Sequence, residues 1–277
     1  MRISVLISLY SKENPSYFDK AIWSIWDNQT RKPDQVVLVE DGPITDKLEF
    51  VVKKWVEIIP VMEVVKLEKN QGLAIALNEG AKHCKCDYIA RMDTDDISLP
   101  DRFKLQEEYL EQHPETVLLG GGMIEFNDEE GDFPPRIMPV NQKDIRESIC
   151  KSSPFVHPSV CLKKSLFNEG FAYNPKFKKA QDIELWFRII AAGLPVANLK
   201  ECIIKFRKDP LLYKKRQNFA VNEFRLVVKG IYSIYGLCTW RYIYPVVHFM
   251  FRLLPPKLSE MIYKKIILKY WERKTYK

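Results

Sequence analysis

The sequence predicts an α/β fold built on a mostly parallel central sheet, followed by a basic helical tail. Two observations predict the sheet: short apolar runs alternate with helix-length amphipathic segments, and polar side chains directly follow the apolar runs. A third observation predicts the tail. Residues 200–277 contain 18 Lys/Arg and 5 Asp/Glu, a net charge of +13, which leaves −6 on residues 1–199 of a chain with a net charge of +7.

In the N-terminal half, the apolar runs are nearly continuous, which is typical of strands buried on both faces of a parallel sheet. Ser16 and Asp19 resemble a capping box and are expected to open the first helix. The predicted strands are Ile3 to Leu9, Val36 to Val39, Val61 to Leu67 and Asp87 to Met92, and the later helices run from Thr45 to Ile58 and from Leu73 to Cys84.

The following residues continue the pattern less regularly. Three consecutive glycines, Gly120 to Gly122, weaken a predicted strand but allow another backbone or a ligand to approach closely. Gly193 follows the last clear helix and is a typical stop signal. The predicted elements are a helix from Asp101 to His113, a strand from Val117 to Phe126, an acidic loop from Asn127 to Val140, a helix from Asp144 to Cys150, a strand from Val160 to Leu162 and a helix from Ala180 to Ala192.

Polar residues collect at the ends of the predicted strands, which is the edge where open parallel sheets bind ligands. The loops contain neither Gly-x-Gly-x-x-Gly nor Gly-x-x-x-x-Gly-Lys-Ser/Thr, so a dinucleotide fold or a P-loop is not indicated. The polar residues are Ser8, Tyr10, Glu40, Asp41, Asn70, Asp93 and Asp95.

Three carboxylates, Asp93, Asp95 and Asp96, directly follow the fourth strand. Because side chains alternate along an extended segment, Asp93 and Asp95 are expected to point the same way and to repel each other unless a cation lies between them. Mg²⁺ and Mn²⁺ bind oxygen ligands such as these carboxylates, and they usually keep coordination positions that phosphates can fill. The simpler interpretation is an acidic turn in which Ser98 or Asp96 caps the next helix. One cap does not need three carboxylates, so the sequence favours the metal site.

Composition argues against several other classes of protein. The six cysteines have no paired metal-ligand spacing and are expected to be free thiols. The N-terminus does not resemble a signal peptide, and no apolar run reaches the length of a membrane span. Because the basic tail is also aromatic and carries no nucleic-acid recognition motif, it favours an anionic membrane surface over nucleic acid.

Two residues beyond this edge are also candidates. Gln181-Asp182 lies in the first turn of a predicted helix, where an Asp can simply compensate the helix dipole. A functional role requires Asp182 to face the same cleft as Asp93 and Asp95. His157 lies between apolar residues and prolines, where a single His is more often a hydrogen-bonded structural residue than a ligand.

Taken together, five motifs in this order resemble an inverting nucleotide-sugar glycosyltransferase of the large bacterial family 2. The motifs are Ser8-Leu9-Tyr10, Val39-Glu40-Asp41-Gly42, Asn70-Gln71-Gly72-Leu73-Ala74 with Asn78, Asp93-Thr94-Asp95-Asp96, and Gln181-Asp182 with Trp186. The resemblance covers roughly residues 1 to 207 and rests on the ordered set, since Asp-x-Asp alone is common. It implies the GT-A fold, with a Rossmann-like nucleotide-binding half, as in O-antigen, capsule and exopolysaccharide transferases.

The resemblance also implies roles for matching residues. Ser8, Tyr10, Asp41 and Asn70 would bind the donor nucleotide, with Tyr10 and Asp41 at the nucleobase. Asp93 would contact the ribose and, with Asp95, the Mn²⁺ or Mg²⁺ ion that holds the diphosphate. His157, Trp186 and Arg207 are candidates for contacts with the diphosphate or acceptor.

Asp182 would be the general base that takes the proton of an acceptor hydroxyl. Its place at a helix N-terminus predicts a low pKa. The implied reaction moves a sugar from a UDP-hexose, such as UDP-Gal or UDP-Glc, to an undecaprenyl-diphosphate-linked saccharide and forms a β linkage. Two alternatives remain: a nucleotidyltransferase of related fold, and a non-enzymatic peripheral membrane protein with a vestigial nucleotide site.

The expected division is a catalytic domain at 1–210 and a membrane-associating tail at 211–277. Within the tail, Pro255-Pro256 ends an apolar segment, and Lys257 to Lys274 is predicted to be a cationic amphipathic helix. A tail packed on the domain through its aromatic residues is an equally open interpretation. The membrane interpretation predicts a cytoplasmic, peripheral location on the inner face of the plasma membrane.

Overall fold

A computed structural model of the protein describes residues 1–208, 219–255, 258 and 261–262. The strands are β1 (Ile3–Leu9), β2 (Gln35–Glu40), β3 (Met62–Lys66), β4 (Tyr88–Met92), β5 (Ile97–Ser98), β6 (Leu118–Asn127), β7 (Gly131–Arg136), β8 (Cys161–Lys163) and β9 (Val196–Arg207). The helices are α1 (Pro15–Trp26), α2 (Asp46–Ile58), α3 (Leu73–His83), α4 (Arg102–Gln112), α5 (Gln142–Ser148), α6 (Ser165–Asn168), α7 (Gln181–Ala191), α8 (Ala220–Tyr235) and α9 (Ile243–Leu253).

The strands form one sheet in the order β3-β2-β1-β4-β8-β6-β9-β5, with β7 paired to β6. Strands β3, β2, β1 and β4 run parallel, as predicted. Strand β8 is antiparallel to both β4 and β6 and joins this half to the rest of the sheet. The parallel register brings the carboxyl ends of β1, β2 and β4 to one edge, since Leu9 pairs with Glu40 and Ile7 with Met92.

Helices cover both faces of the sheet because the strand side chains are apolar on both sides. On one face, Phe18 of α1, Trp55 of α2 and Phe103 of α4 pack against β1 side chains such as Ile7. On the other face, residues of α3 and α7, including Leu77, join Leu6 and Val39. Each helix therefore fixes the strand end beside it.

Two predicted details are wrong: the residues that open α1 and the loop 127–140. Helix α1 begins at Pro15, and the side chain of Asn14, not Ser16, accepts from the backbone N–H groups of Ser16 and Tyr17. Asp19 instead accepts from the indole of Trp55 at 2.6 Å and links α1 to α2. The expected loop 127–140 contains strand β7, which lies beside β6.

The glycine run does not interrupt β6. It lets β9 lie close beside it, because a Cβ on Gly120 would collide with Asn198 and one on Gly121 with Ile203. Strand β9 was not predicted, and residues 200–207, which the charge count groups with the basic tail, belong to the sheet. The prediction that the glycines allow another backbone to approach closely is confirmed.

Part of the tail packs on the part of the chain that forms the sheet. Helix α8 lies against α7, where Gly230 leaves room for the ring of Phe187, and Leu226 and Ile231 are buried. Helix α9 packs on α8 through Phe224 and Phe249, whose ring centroids are 5.5 Å apart. The predicted helix 257–274 lies mostly outside the described residues, and the division at 210 remains a prediction.

All six cysteines are free, as predicted. Over the described ranges, none of the helices has the length and apolar content needed to cross a membrane.

Candidate active site

Strand β4 delivers the acidic loop to the edge of the sheet. Every residue of β4 is buried, and the chain then emerges as Asp93, Thr94 and Asp95. Burial, followed by the nearby charge of Asp93, raises the pKa of Asp95 to about 6. The two carboxylates therefore lie within electrostatic reach of each other.

Asp96 has a structural position in this loop. It is 1% exposed, and its Oδ1 accepts from the backbone N–H of Arg207 at 2.7 Å. Burial, and then Asp93 and Asp95, raise its pKa well above the usual range. Neither Asp96 nor Ser98 caps α4, because the N-cap is Asp101, which makes no side-chain capping bond.

Arg207 holds the acidic loop from the end of β9. Its Nε donates to the carbonyl of Asp95 at 2.9 Å, and its Nη1 contacts Asp128 at 2.8 Å. The guanidinium also stacks on the ring of Tyr17, 3.7 Å from its centroid. Arg207 thus lies beside the metal candidates, and direct contact with a diphosphate remains a prediction.

Glu13 is a candidate that the sequence pattern did not reveal. It lies in the loop after β1, half-buried, and its backbone N–H donates to the carbonyl of Tyr10 at 3.1 Å. Burial raises its pKa, a hydrogen bond with Thr94 opposes the shift, and Asp95 and Asp93 add to it. Glu13 is therefore a third carboxylate within electrostatic reach of the pair.

Arg91 is the central cation of the site. It lies in β4 with its side chain only 3% exposed, and its Nη2 forms an ion pair with Asp93. Its Nε and Nη1 have no hydrogen-bond partner among the described residues. The same guanidinium partly opposes the rise in the pKa of both Asp95 and Asp182. The buried charge of Arg91 thus acts on the candidate metal ligands and also on the candidate base, Asp182.

Asp182 lies in the first turn of α7, which begins after Ala180 in a left-handed conformation with φ 57°. Burial raises the pKa of Asp182, and hydrogen bonds from the backbone N–H groups of Ile183 and Asp182 only partly offset it. The predicted low pKa is therefore wrong, because desolvation outweighs the helix terminus. Glu223 of α8 adds to the rise and Arg91 opposes it, so Asp182 lies within electrostatic reach of both groups.

His157 and Tyr173 form the wall between these groups. The Nε2 of His157 lies 2.9 Å from the Tyr173 hydroxyl, and burial lowers the pKa of His157 well below its usual value. Burial raises the pKa of Tyr173, and Asp182 and Asp93 act on it in the same direction. Asn78 of α3 holds Tyr173 in place through two reciprocal hydrogen bonds with its backbone. His157 is hydrogen-bonded, which fits its interpretation as a structural residue.

Trp186 lies behind this wall and is fully buried. Its ring packs against Phe155 and His157, with centroid distances of 5.4 and 6.2 Å. Its Nε1 has no hydrogen-bond partner among the described residues. Trp186 therefore supports the site from the core, and its predicted contact with the acceptor or diphosphate would require that buried wall to move.

The end of β2 forms the other side of the edge. The Asp41 carboxylate accepts from the backbone N–H of Gln71 at 2.7 Å and of Gly72 at 2.9 Å. Asn70 donates from its side chain to the Asp41 carbonyl at 3.2 Å. Gly42 has φ 81°, and a Cβ there would collide with the Asn70 backbone. The two loops are thus locked together, and each Asp41 oxygen retains one further lone pair for a ligand.

Ser8 and Tyr10 lie at the end of β1, between the loops after β2 and β4. Ser8 is half-buried, and Tyr10 is 37% exposed. An accessible aromatic ring at this edge can stack on a planar ring of a ligand.

The arrangement suits a divalent cation held partly by a ligand. Among the described residues, no three His, Cys, Asp or Glu side chains form a metal cage. Mg²⁺ and Mn²⁺, however, often bind through one or two carboxylates plus substrate phosphates. The close pair Asp93 and Asp95 fits that mode, since a cation would relieve the repulsion that raises the pKa of Asp95.

Comparisons with known proteins place this geometry in context. A model of "Glycosyl transferase family 2" matches residues 4–171. The chain is 38% identical over 269 residues to the amylovoran biosynthesis glycosyltransferase AmsE of Erwinia amylovora, covering 95% of this chain and 98% of the relative. It is 29% identical over 279 residues to the UDP-Gal:alpha-D-GlcNAc-diphosphoundecaprenol beta-1,3-galactosyltransferase of Escherichia coli, covering 97% of this chain and 98% of the relative.

A solved structure confirms the fold. The mannosyltransferase PcManGT from Pyrobaculum calidifontis, in complex with GDP-Man and Mn²⁺, matches with a TM-score of 0.64 at 14% identity. The match covers 98% of this chain and 82% of that chain. The predicted GT-A fold is confirmed.

Proposed function

The chain belongs to glycosyl transferase family 2, and from that membership we propose that it is an inverting enzyme of cell-surface polysaccharide synthesis. It moves a sugar from a nucleoside-diphosphate donor to a hydroxyl of a lipid-diphosphate-linked saccharide. The observation that carries this proposal is the position of Arg91, whose buried guanidinium forms an ion pair with Asp93 and lies within electrostatic reach of Asp95 and Asp182.

The proposed donor is a UDP-hexose such as UDP-Gal or UDP-Glc. The name of the Escherichia coli relative, a UDP-Gal transferase acting on a diphosphoundecaprenol acceptor, supports this choice and the undecaprenyl-diphosphate class of acceptor. Tyr10 stacks on the nucleobase, and the free lone pairs of Asp41 accept from its N–H. Ser8, Asn70 and Asp93 complete the nucleotide site.

The reaction is a single displacement at the anomeric carbon. The acceptor oxygen forms a bond to that carbon as the bond to the donor phosphate breaks, and the leaving nucleoside diphosphate takes the electron pair. Asp182 accepts the hydroxyl proton as the oxygen attacks. Because attack comes from the face opposite the leaving group, an α-linked donor gives a β product.

Asp95 and Asp93 would hold a Mn²⁺ or Mg²⁺ ion with the diphosphate. When bound, such an ion neutralises charge on the leaving group and acts as a Lewis acid. The complex of PcManGT with Mn²⁺ supports this assignment by fold alone. Arg91 pairs with the Asp93 carboxylate and Arg207 donates to the backbone carbonyl of Asp95, so both support the acidic loop.

We further propose that α9 lies on the cytoplasmic face of the plasma membrane. Its residues Ile243, Val246, Val247, Met250 and Leu253 follow helical spacing and are each between 46% and 60% exposed. An exposed apolar stripe of this kind, next to a basic tail, is typical of interfacial helices. The opposite side of α9 packs on α8, so membrane contact would place α8 and the active site near a lipid-linked acceptor.

A donor screen tests the proposed function. Purified enzyme is incubated with UDP- and GDP-sugars, Mn²⁺ and a synthetic sugar-diphosphate-lipid, and the product is followed by chromatography. We expect one UDP-hexose to be transferred, and Asp182→Asn to fail under the same conditions. Transfer of a nucleotidyl group, or no turnover of any donor, would support one of the two alternative functions instead.

A further inference from the structure

A cleft of about 750 Å³ opens beside the N-terminal part of α7. The segment 176–180 forms one wall, and α8 forms the other. Ile183, the next residue after Asp182, lines the cleft, and Glu223 in its wall is close enough to raise the pKa of Asp182. A ligand in this cleft therefore has one end at the candidate base.

The charges of the cleft indicate an anionic ligand. Its only acidic lining residue among those described is Glu223, which is already paired with Arg252. Five other lining residues are cations that make no ion pair with a described residue: Lys176, Lys178, Lys179, Arg225 and Lys229. Elsewhere in the described chain, cations such as Arg31, Lys54 and Arg188 are paired with carboxylates. A concentration of unpaired positive charge in a concave site favours a multiply charged anion.

The remaining lining residues are apolar and indicate a second chemical property of the ligand. Phe177, Ile183, Phe219 and Leu226 line the cleft between the cations. Arg252 of α9 closes the same cleft, and α9 carries the exposed apolar stripe. A ligand that joins a diphosphate to a lipid would therefore meet both cations and apolar side chains in this cleft.

We propose that this cleft binds the diphosphate of the lipid-linked acceptor. The proposal rests on the proposed glycosyl transfer and assigns a place to its second substrate. None of the donor candidates Ser8, Tyr10, Asp41, Asn70, Asp93 or Asp95 lines the cleft. The donor then lies toward Arg91 and the acceptor toward Glu223, with Asp182 between them, which is the order that proton removal from the acceptor requires.

The test compares two soluble acceptors that carry the same sugar, one as a short-chain alkyl diphosphate and one as a simple alkyl glycoside. Two double variants remove exposed charges without a change in the core: Lys178→Gln with Lys179→Gln, and Arg225→Gln with Lys229→Gln. Lys104→Gln with Lys143→Gln is the matched control, since both lysines are exposed and lie outside the cleft.

We expect each cleft variant to raise the KM for the diphosphate acceptor at least about tenfold, because charge-assisted contacts to phosphate are strong. The KM for the alkyl glycoside should change less than about twofold, and the Kd for the donor should stay the same. The control variant should match the wild type with both acceptors.

Four results would overturn the assignment. An equal loss with both acceptors would mean that the cations do not recognise the diphosphate. A loss seen only when the acceptor is embedded in anionic vesicles would mean that they contact lipid headgroups. An unchanged KM for the diphosphate acceptor would exclude the cleft while leaving the proposed function intact, whereas a wild type that transfers to neither acceptor would overturn both.

Discussion

A carboxylate that accepts a proton during catalysis benefits from a pKa above that of a free Asp, and Asp182 has this property because it is desolvated. Its two backbone hydrogen bonds stabilise the charged form, and Glu223 opposes them. The balance leaves the pKa of Asp182 above its usual value, so the carboxylate is more basic than the helix terminus alone would allow.

Replacing Asp182 by Asn keeps the shape of the side chain and removes the proton acceptor. We expect turnover to fall roughly 10²-fold or more, with the Kd for the donor nearly unchanged, as for loss of a general base. Asp46→Asn is the matched control, because Asp46 lies in the first turn of α2 and is exposed. Collapse of donor affinity with normal turnover of the bound donor would instead make Asp182 a binding residue.

The pH profile tests the same residue independently. Because the pKa of Asp182 is raised, the protonated form persists above the ordinary Asp value of about 4, and activity should fall on the acid side through an apparent pKa above that value. Above that apparent pKa the base is ionised and the rate should be constant. The profile is measured at two saturating metal concentrations. If the fall in activity on the acid side shifts with metal concentration, the groups that titrate are the metal ligands and not Asp182.

At the scale of elements, the contact between α7 and α8 connects the tail to the active-site helix. Gly230 is the point of closest approach, because a Cβ there would collide with the ring of Phe187. Phe187 follows Trp186 in α7 and is itself buried. A movement of α8 would therefore displace α7, and Asp182 would move with it.

Gly230→Ala measures this contact. In an open helix, Gly→Ala stabilises by about 0.5–1 kcal/mol, but overpacking costs about 1–3 kcal/mol, so we expect a net loss of stability. In a Phe187→Leu background the same change should cost less, since the ring is gone. Denaturant unfolding of the four proteins gives the coupling between the two sites. A single Gly230→Ala variant as stable as the wild type would show that α8 does not press on α7.

The sequence correctly predicted those strands and helices whose own apolar run or first residue marks them clearly. Strand β1 has the bounds that its apolar run indicates, and α2 begins after Thr45, as expected. Strand β7 was missed because Pro134 and Pro135 argue against a central strand, and they are tolerated here since β7 pairs only with β6 among the described strands. Strand β9 was missed because its charged residues resemble the basic tail.

The candidate site was predictable where residues follow strands, as for Asp41, Asp93 and Asp95. Glu13 could not be found in this way, because a lone Glu in a loop has no distinctive spacing, and its place near Thr94 depends on tertiary structure. The pKa of Asp182 was predicted in the wrong direction for a related reason. The helix terminus is visible in the sequence, whereas the burial that outweighs it is not.

At the scale of the whole molecule, the charge asymmetry and the apolar stripe of α9 point toward the same partner. If α9 lies on a membrane as proposed, the net charge of +13 on residues 200–277 would attract anionic lipid and the stripe would supply apolar area for the interface. Attraction between exposed charges is screened by salt, whereas apolar insertion is not. The two contributions can therefore be separated.

We expect the protein to bind vesicles that contain anionic lipid and to dissociate partly as salt rises from about 0.1 M to about 1 M, where the screening length falls to about 3 Å. Val247→Glu with Met250→Glu should weaken binding at both salt concentrations, because it places charge in the stripe. Phe50→Glu, an exposed apolar residue of α2, is the control. Equal sedimentation on neutral and anionic vesicles would remove the electrostatic part of the proposal.

The most direct test of the central claim is the anomeric configuration of the product. The enzyme is supplied with the UDP-hexose selected in the donor screen, the sugar-diphosphate-lipid acceptor and Mn²⁺, and the new linkage is determined by proton NMR. We predict a β linkage from the α-linked donor, formed only with Mn²⁺ or Mg²⁺ and absent in excess EDTA and in Asp182→Asn. A product that retains the α configuration, or full transfer in the presence of chelator, would contradict the account.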